Sequence, residues 1–411
     1  MGSSRSTAAD LTIEGARALD AADPLARFRD RFAMPDPALI YLDGNSLGRP
    51  PIAALEAVAT AGAKWSQALI RGWTDEAWLE YPLRVGDRLA TGVLGAAAGE
   101  VAVTDSTTVN LYRLAVAALD ARRPRRIVVV ERSEFPTDRY VVEGLARERD
   151  LEIRWIEGDP VEGLSTGDVA KALDGDVALV VLSAVNYRSA AIVDMAAVTS
   201  AARDVGALVI WDLSHAGGSI PVELGANRAD LAVGCTYKYL NGGPGAPAYL
   251  YVRRELQDEL QPPIQGWFAQ RDQFEMGPRF ERRSGIAGWL VGTPGILGLA
   301  AAEAGIELTA EAAIDRIRAK GIGLTEYASE LFDAWLAPLG FALGSPRDPK
   351  RRGAHVSVRH ADAKRLTQAL IEHNVIPDFR APDSIRLGLS PLTTSFEEVH
   401  RALTALRDLV A

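Results

Sequence analysis

Apolar runs that recur with amphipathic stretches between them constrain this chain more than any other feature. EVAV before Thr104, IVVV at Ile127, EIRWIE at Glu152, ALVVLS at Ala178, ALVIWD at Ala207, LAVGC at Leu231 and PAYLYV at Pro247 all read as strands. The spacers carry helical signatures. After Thr107, for example, Leu111, Leu114, Ala115 and Leu119 fall on one helical face. Strands apolar on both faces must be covered on both faces, which predicts an α/β fold with a mostly parallel sheet. In such a sheet the site collects at the carboxyl ends of the strands. Those ends hold Thr107, Phe135 to Asp138, Ser183 to Tyr187, Asp212 to His215, and Tyr237 with Lys238.

A chain of 411 residues is too long for one ordinary core. From Ile296 helices dominate, interrupted by short strands at His355, Val375 and Ser384, so a smaller α+β domain is expected behind the large one. The expected division is 1–65 as an N-terminal segment packing with the small domain, 66–295 as the large domain and 296–411 as the small one. Hydrophobic residues at 48% and charged residues at 24% describe a soluble globular protein. A net charge of −9 argues against nucleic acid or an anionic membrane as partner. No apolar run approaches the roughly 20 residues of a membrane helix, and residues 1–10 lack the apolar centre of a secretory signal.

The single cysteine, Cys235, excludes an intramolecular disulfide and fits a cytoplasmic location. Five histidines without HExxH spacing give no expectation of a metal site. The GxGxxG, GxxxxGK[ST] and GxSxG fingerprints of dinucleotide enzymes, P-loop NTPases and serine hydrolases are missing as well.

The chemistry is concentrated in residues 207–244. VIWD ends a buried run in a carboxylate, and LAVGCTYKY ends another in Lys238, just before the glycine-rich NGGPG. A lysine and an aspartate at successive strand ends suggest pyridoxal phosphate: the lysine forms a Schiff base with the aldehyde, and the carboxylate keeps the pyridine nitrogen protonated. Ser106, Thr107 and Thr108 stand where a helix begins. One hydroxyl suffices for a cap, and three suit a phosphate. GNSLG at residues 44–48 reads as a plain turn or, more sharply, as a turn whose backbone is forced close to a ligand. Trp73, Trp78 and Tyr81 read first as packing aromatics, with Trp73 or Tyr81 against an aromatic substrate as the sharper alternative.

With these residues laid out, the chain resembles the kynureninase family, fold-type-I pyridoxal-phosphate enzymes of the aspartate aminotransferase superfamily. YLDGNSLG, TDSTTVNL, FPTD, VNY, WDLSHAGG, GCTYKYLNGGPG, GWF and IRLGLSPLTTSF carry the resemblance from about Tyr41 onward. It implies a seven-stranded sheet in the large domain and hydrolysis of L-kynurenine, or a ring-substituted form such as 3-hydroxykynurenine, to an anthranilate and L-alanine in tryptophan catabolism. The alternative within the fold is another lyase or an aminotransferase, such as a cysteine desulfurase-like enzyme.

Residue by residue, the resemblance implies that Lys238 carries the cofactor, Asp212 pairs with its ring nitrogen, and Tyr237 relays protons. Phe135 would stack on the ring, with Asp138, Ser183 and His215 around it, and Thr107 and Thr108 would hold the phosphate with Tyr237. Arg386 would grip the substrate carboxylate, with Asn45, Ser46 and Trp73 also on the substrate side. Trp267 and Thr293 would come from the second subunit of a homodimer. The chain departs from the family at Gln270, where a histidine is common, and at Ser189-Ala190, where threonine-glycine is common.

Overall fold

The computed structural model describes residues 10–410. After a short strand β1 (Ile40–Tyr41), residues 101–252 build one sheet from β2 (Val101–Val103), β3 (Ile127–Glu131), β4 (Glu152–Ile156), β5 (Val177–Ser183), β6 (Leu208–Asp212), β7 (Leu231–Gly234) and β8 (Tyr249–Val252). Their order is β2-β8-β7-β6-β5-β3-β4, seven strands in all. Side chains alternate between two apolar layers, as the pleat demands. Val128, Val130, Val181, Ile210 and Val233 enter one layer, and Val129, Val180, Leu182, Val209 and Trp211 enter the other.

Six strands run in one direction, and β8 is antiparallel to both β7 and β2. The reason lies in the connection: residues 235–248 contain no helix, and a parallel return needs a longer crossover. Chain order reverses at β3, with β4 on one side of it and β5 on the other. That reversal opens a crevice between the loops that leave β3 and β5.

The C-terminal part forms a second sheet from β9 (Ala342–Leu343), β10 (His355–Arg359), β12 (Asp378–Arg380) and β13 (Ser384–Gly388), in the order β12-β13-β10-β9 with every pair antiparallel. The strand expected at Val375 is split. Pro377 has no N–H to donate, so β11 (Val375–Ile376) pairs with β1 in parallel and β12 begins after the proline. Ala16, Ile40 and Leu42 share a core with Leu324, Val356, Ile385 and Leu403. The helix Ile296–Ala312 serves two cores: Leu299 and Ile306 pack under the large sheet, whereas Leu308 and Ala312 pack with Leu25 and Phe28. No helix among the described residues is long and apolar enough to cross a membrane.

Candidate active site

Asp212 is the last residue of β6, and Lys238 follows β7 by a turn in which the Gly242 N–H donates to the Thr236 carbonyl at 2.8 Å. Both are buried. Lys238 Nζ lies 3.4 Å from His215 Nε2 and 5.7 Å from the centre of the Phe135 ring. The backbone N–H of Ser214 donates to Asp212 at 2.6 Å. Next to Asp212 stands Asp138, at the start of the helix Pro136–Arg149, buried and with Oδ2 lacking a hydrogen-bond partner.

Asp212, Asp138 and Glu134 therefore gather near Lys238, with Glu131 beside Glu134. Burial pushes the Asp138 carboxyl well above its usual range, and the negative Asp212 and Glu134 push it further. Burial, with Glu131 adding to it, raises Glu134 to about 7. His215 is driven the other way, well below 6.5, by burial and by the Lys238 ammonium, so it is neutral. One lysine ammonium against these acids leaves the cluster short of positive charge, and Asp138 Oδ2 lacks a donor. A protonated pyridine nitrogen with polar ring substituents matches both deficits.

Thr107 and Thr108 begin the helix Thr107–Ala121, and Ser106 alone performs the cap, accepting from the Val109 N–H at 3.4 Å. The two threonine hydroxyls are left at an exposed helix N-terminus, where the dipole favours a phosphate. Tyr237 is half-buried, and burial raises its phenol pKa, so the hydroxyl keeps its proton at neutral pH.

Ser183 has a partner that sequence reasoning missed. Glu134 Oε2 accepts from the Ser183 N–H at 2.7 Å, and Oε1 accepts from the Ser183 hydroxyl and from the Phe135 N–H, the latter at 3.1 Å. This carboxylate fastens the loop bearing Phe135 and Asp138 to the end of β5, across the crevice. A glutamate in a loop ordinarily reads as solvated, and nothing local marks this one as buried. Its raised pKa has a stability consequence. The folded state holds the Glu134 proton more tightly than the unfolded chain, so stability falls as pH rises from about 4.5 towards about 7. In cofactor-free protein, Glu134→Gln should melt higher than the parent at pH 8 and show a shallower decline of Tm between pH 5 and 7.

Arg386, on β13, faces the cluster from the second sheet and is 1% exposed. It donates to the Tyr187 carbonyl at 2.7 Å, to Ser46 Oγ at 2.9 Å and to Asp378 at 2.6 Å. With its amide oxygen turned towards Arg386, Asn45 accepts from Nε at 2.9 Å. Asn45 and Ser46 thus converge on Arg386 itself. The close approach in the GNSLG turn is made to protein: the Gly48 N–H donates to the Tyr237 carbonyl at 2.8 Å. A Cβ at Gly48 would stand 2.3 Å from the Lys238 carbonyl. Gly48→Ala should therefore displace the lysine turn and lower stability by about 1–3 kcal/mol, read as a drop in Tm together with weaker cofactor retention.

The remaining expected residues lie elsewhere in the chain's own fold. Trp73 packs edge-on against Trp78 at 5.6 Å and Phe268 at 6.0 Å. Trp267 stacks edge-on against Phe268 at 4.8 Å and is 40% exposed, and Thr293 is exposed. Gln270 stitches its own loop, accepting from the Glu281 N–H at 2.7 Å. Ala190 holds a left-handed φ of 65° and is fully buried. The cost of that conformation, about 1–2 kcal/mol, is partly offset by about 0.8 kcal/mol from its buried methyl, which explains how alanine stands where glycine is common.

A family model described as Kynureninase C-terminal domain matches residues 317–406. Two proteins named kynureninase are 43% identical to the chain: that of Burkholderia pseudomallei strain 1106a over 97% of this chain and 95% of its own length, and that of Pseudomonas fluorescens over 96% and 94%. Among solved structures, the fold is similar to a cysteine desulfurase from Thermococcus onnurineus NA1, with a TM-score of 0.80, 21% identity and coverage of 90% and 94% of the two chains. It is also similar to the cystine C-S lyase C-DES, with a TM-score of 0.77, 19% identity and coverage of 90% and 97%. Those structural likenesses establish the fold, and the near-full-length identity establishes the family: the chain belongs to the kynureninase family.

Proposed function

We propose that this protein hydrolyses L-kynurenine or a ring-substituted kynurenine to the corresponding anthranilate and L-alanine, in tryptophan catabolism. The observation that carries the reading is 43% identity to kynureninases across nearly the whole chain. The cofactor is pyridoxal phosphate, which when bound supplies an electron sink for negative charge at the substrate Cα. Lys238 would hold it covalently, Asp212 its ring nitrogen, Phe135 its ring face, and Thr107, Thr108 and Tyr237 its phosphate. Asp138, His215 and Ser183 complete the surround, with Trp267 and Thr293 supplied by a second subunit.

In the reaction, Arg386 orients the substrate through its carboxylate. Lys238 Nζ would take the Cα proton as general base. Water adds to the side-chain carbonyl; as the Cβ–Cγ bond breaks, the Tyr237 hydroxyl gives its proton to Cβ and recovers one from the hydrated carbonyl, which leaves as the anthranilate, and Lys238 returns a proton to Cα to complete L-alanine. Tyr237→Phe should lower kcat by about 10²- to 10⁴-fold with little change in KM. Anthranilate fluorescence, with L-kynurenine compared against 3-hydroxykynurenine, tests the function directly; absence of product from every kynurenine would overturn it.

Cysteine desulfuration is disfavoured by Cys235, which is 3% exposed and whose thiol pKa is raised by burial, the opposite of a mobile persulfide acceptor. We also infer a homodimer in a reducing cytoplasm, with the chain divided near residues 65 and 295. Leu55 and Val58 on the helix Ile52–Ala68 are exposed beside Leu297, an apolar surface suited to a second copy. Leu55→Glu should shift the mass in solution, measured by light scattering, from dimer towards monomer.

A further inference from the structure

We propose that His355 is a second donor to the substrate carboxylate, acting beside Arg386; the inference rests on the amino-acid substrate proposed above. In the antiparallel pairing of β10 with β13, Ser357 stands opposite Arg386 and His355 opposite Gly388. His355 and Arg386 therefore leave the same face of the sheet as diagonal neighbours, a separation that long side chains span. Gly388 contributes no side chain, and the Asn45 side chain that reaches Arg386 lies over it. The His355 ring lies 5.8 Å from that of His215, whose Nε2 is the atom near Lys238. His355 thus faces the reacting end of the site from the second sheet.

Its hydrogen bonding is incomplete. His355 is fully buried, and neither ring nitrogen has a partner. The carbonyl of Arg188, near the ring, accepts from the Ser357 hydroxyl and stands outside full hydrogen-bond geometry from either ring nitrogen. Buried polar groups without partners are rare and costly, and call for an explanation. Burial first, then Arg386 and Lys238, hold the imidazole pKa well below 6.5, so the ring is neutral and carries one N–H donor.

Arg386 leaves room for such a donor. Of the five N–H groups of a guanidinium, Nε is used by Asn45, one on Nη1 by the Tyr187 carbonyl, and two on Nη2 by Ser46 and Asp378. One N–H on Nη1 remains. It can serve one oxygen of a carboxylate, and the other oxygen then needs a donor from elsewhere. Displacing Asp378 would supply one but would break a pairing that also includes Arg380 Nε at 2.7 Å. His355 supplies it without breaking anything.

The test measures equilibrium binding of L-alanine, the proposed product, and of L-alaninamide, which lacks the carboxylate, to the cofactor-loaded enzyme. Binding is followed by calorimetry and by cofactor absorbance in the wild type, His355→Leu and His355→Gln. His355→Leu should weaken L-alanine by about 10- to 100-fold and leave L-alaninamide within about twofold. His355→Gln, which keeps an N–H donor, should recover most of the loss. L-Alanine binding unchanged in His355→Leu, or equal losses for the acid and the amide, or no recovery in His355→Gln, would each overturn the carboxylate role. If the wild type binds L-alanine but cleaves no kynurenine, only the proposed reaction falls; if it does not bind L-alanine, both readings fall.

Discussion

Lys238→Ala is expected to abolish the absorbance band of lysine-bound pyridoxal phosphate and to lower turnover of L-kynurenine by more than about 10³-fold. Both effects follow from one side chain. Lys238 lies at the end of a turn that points Nζ between His215 and the Phe135 ring, the position from which it would both hold the cofactor and move the Cα proton. The substitution should also change the electrostatics of the cofactor-free protein. The Lys238 ammonium offsets the burial and negative charge that raise Asp138, and without it the Asp138 carboxyl becomes harder to ionise. The Tm of the variant should therefore fall more steeply than that of the parent as pH rises from 5 to 8. An absorbance band that survives in Lys238→Ala would place the covalent link on another lysine.

The second large effect is expected for Arg386→Ala, with KM raised about 10²-fold and a smaller change in kcat, since in the proposed reaction the residue would bind and orient the substrate. The same change should cost on the order of 3 kcal/mol in stability. It removes the buried partner of Asp378 at 2.6 Å and leaves the Tyr187 carbonyl and Ser46 hydroxyl without their donor. Arg386→Lys should be intermediate. It keeps the charge, but a single ammonium cannot reach Asn45, Ser46, Tyr187 and Asp378 at once. A kinetic profile with KM unchanged in Arg386→Ala would remove the residue from carboxylate binding, even with reduced Tm.

The sequence by itself determined the architecture and the sheet edge at which the candidate site residues stand. Apolar runs such as IVVV and ALVVLS have no polar face to give to water, so they had to enter a sheet covered on both sides. Their carboxyl ends then brought Phe135, Asp138, Ser183, Asp212 and Lys238 to one edge. The resemblance in eight short motifs pointed to the family, and near-full-length identity establishes it. The single reversed strand, β8, follows from a connection with no helix, yet its neighbours β2 and β7 could be assigned only once the sheet was assembled.

What only the tertiary structure decided is how polar groups far apart in the chain satisfy or fail to satisfy one another. Glu134 reads as a loop carboxylate until the end of β5 encloses it and Ser183 becomes its donor. His355 reads as one position in a short strand until the register of β10 on β13 sets it diagonal to Arg386 with both ring nitrogens bare. The turn at residues 44–48 reads from sequence as a plain turn or as one pressed against a ligand, and only the fold shows its backbone pressed against the Lys238 backbone. Hydrophobic periodicity is a local property, because burial acts on each side chain through its own segment. Hydrogen-bond partnership and desolvation of charge belong to pairs of segments, and they come into being when those segments meet.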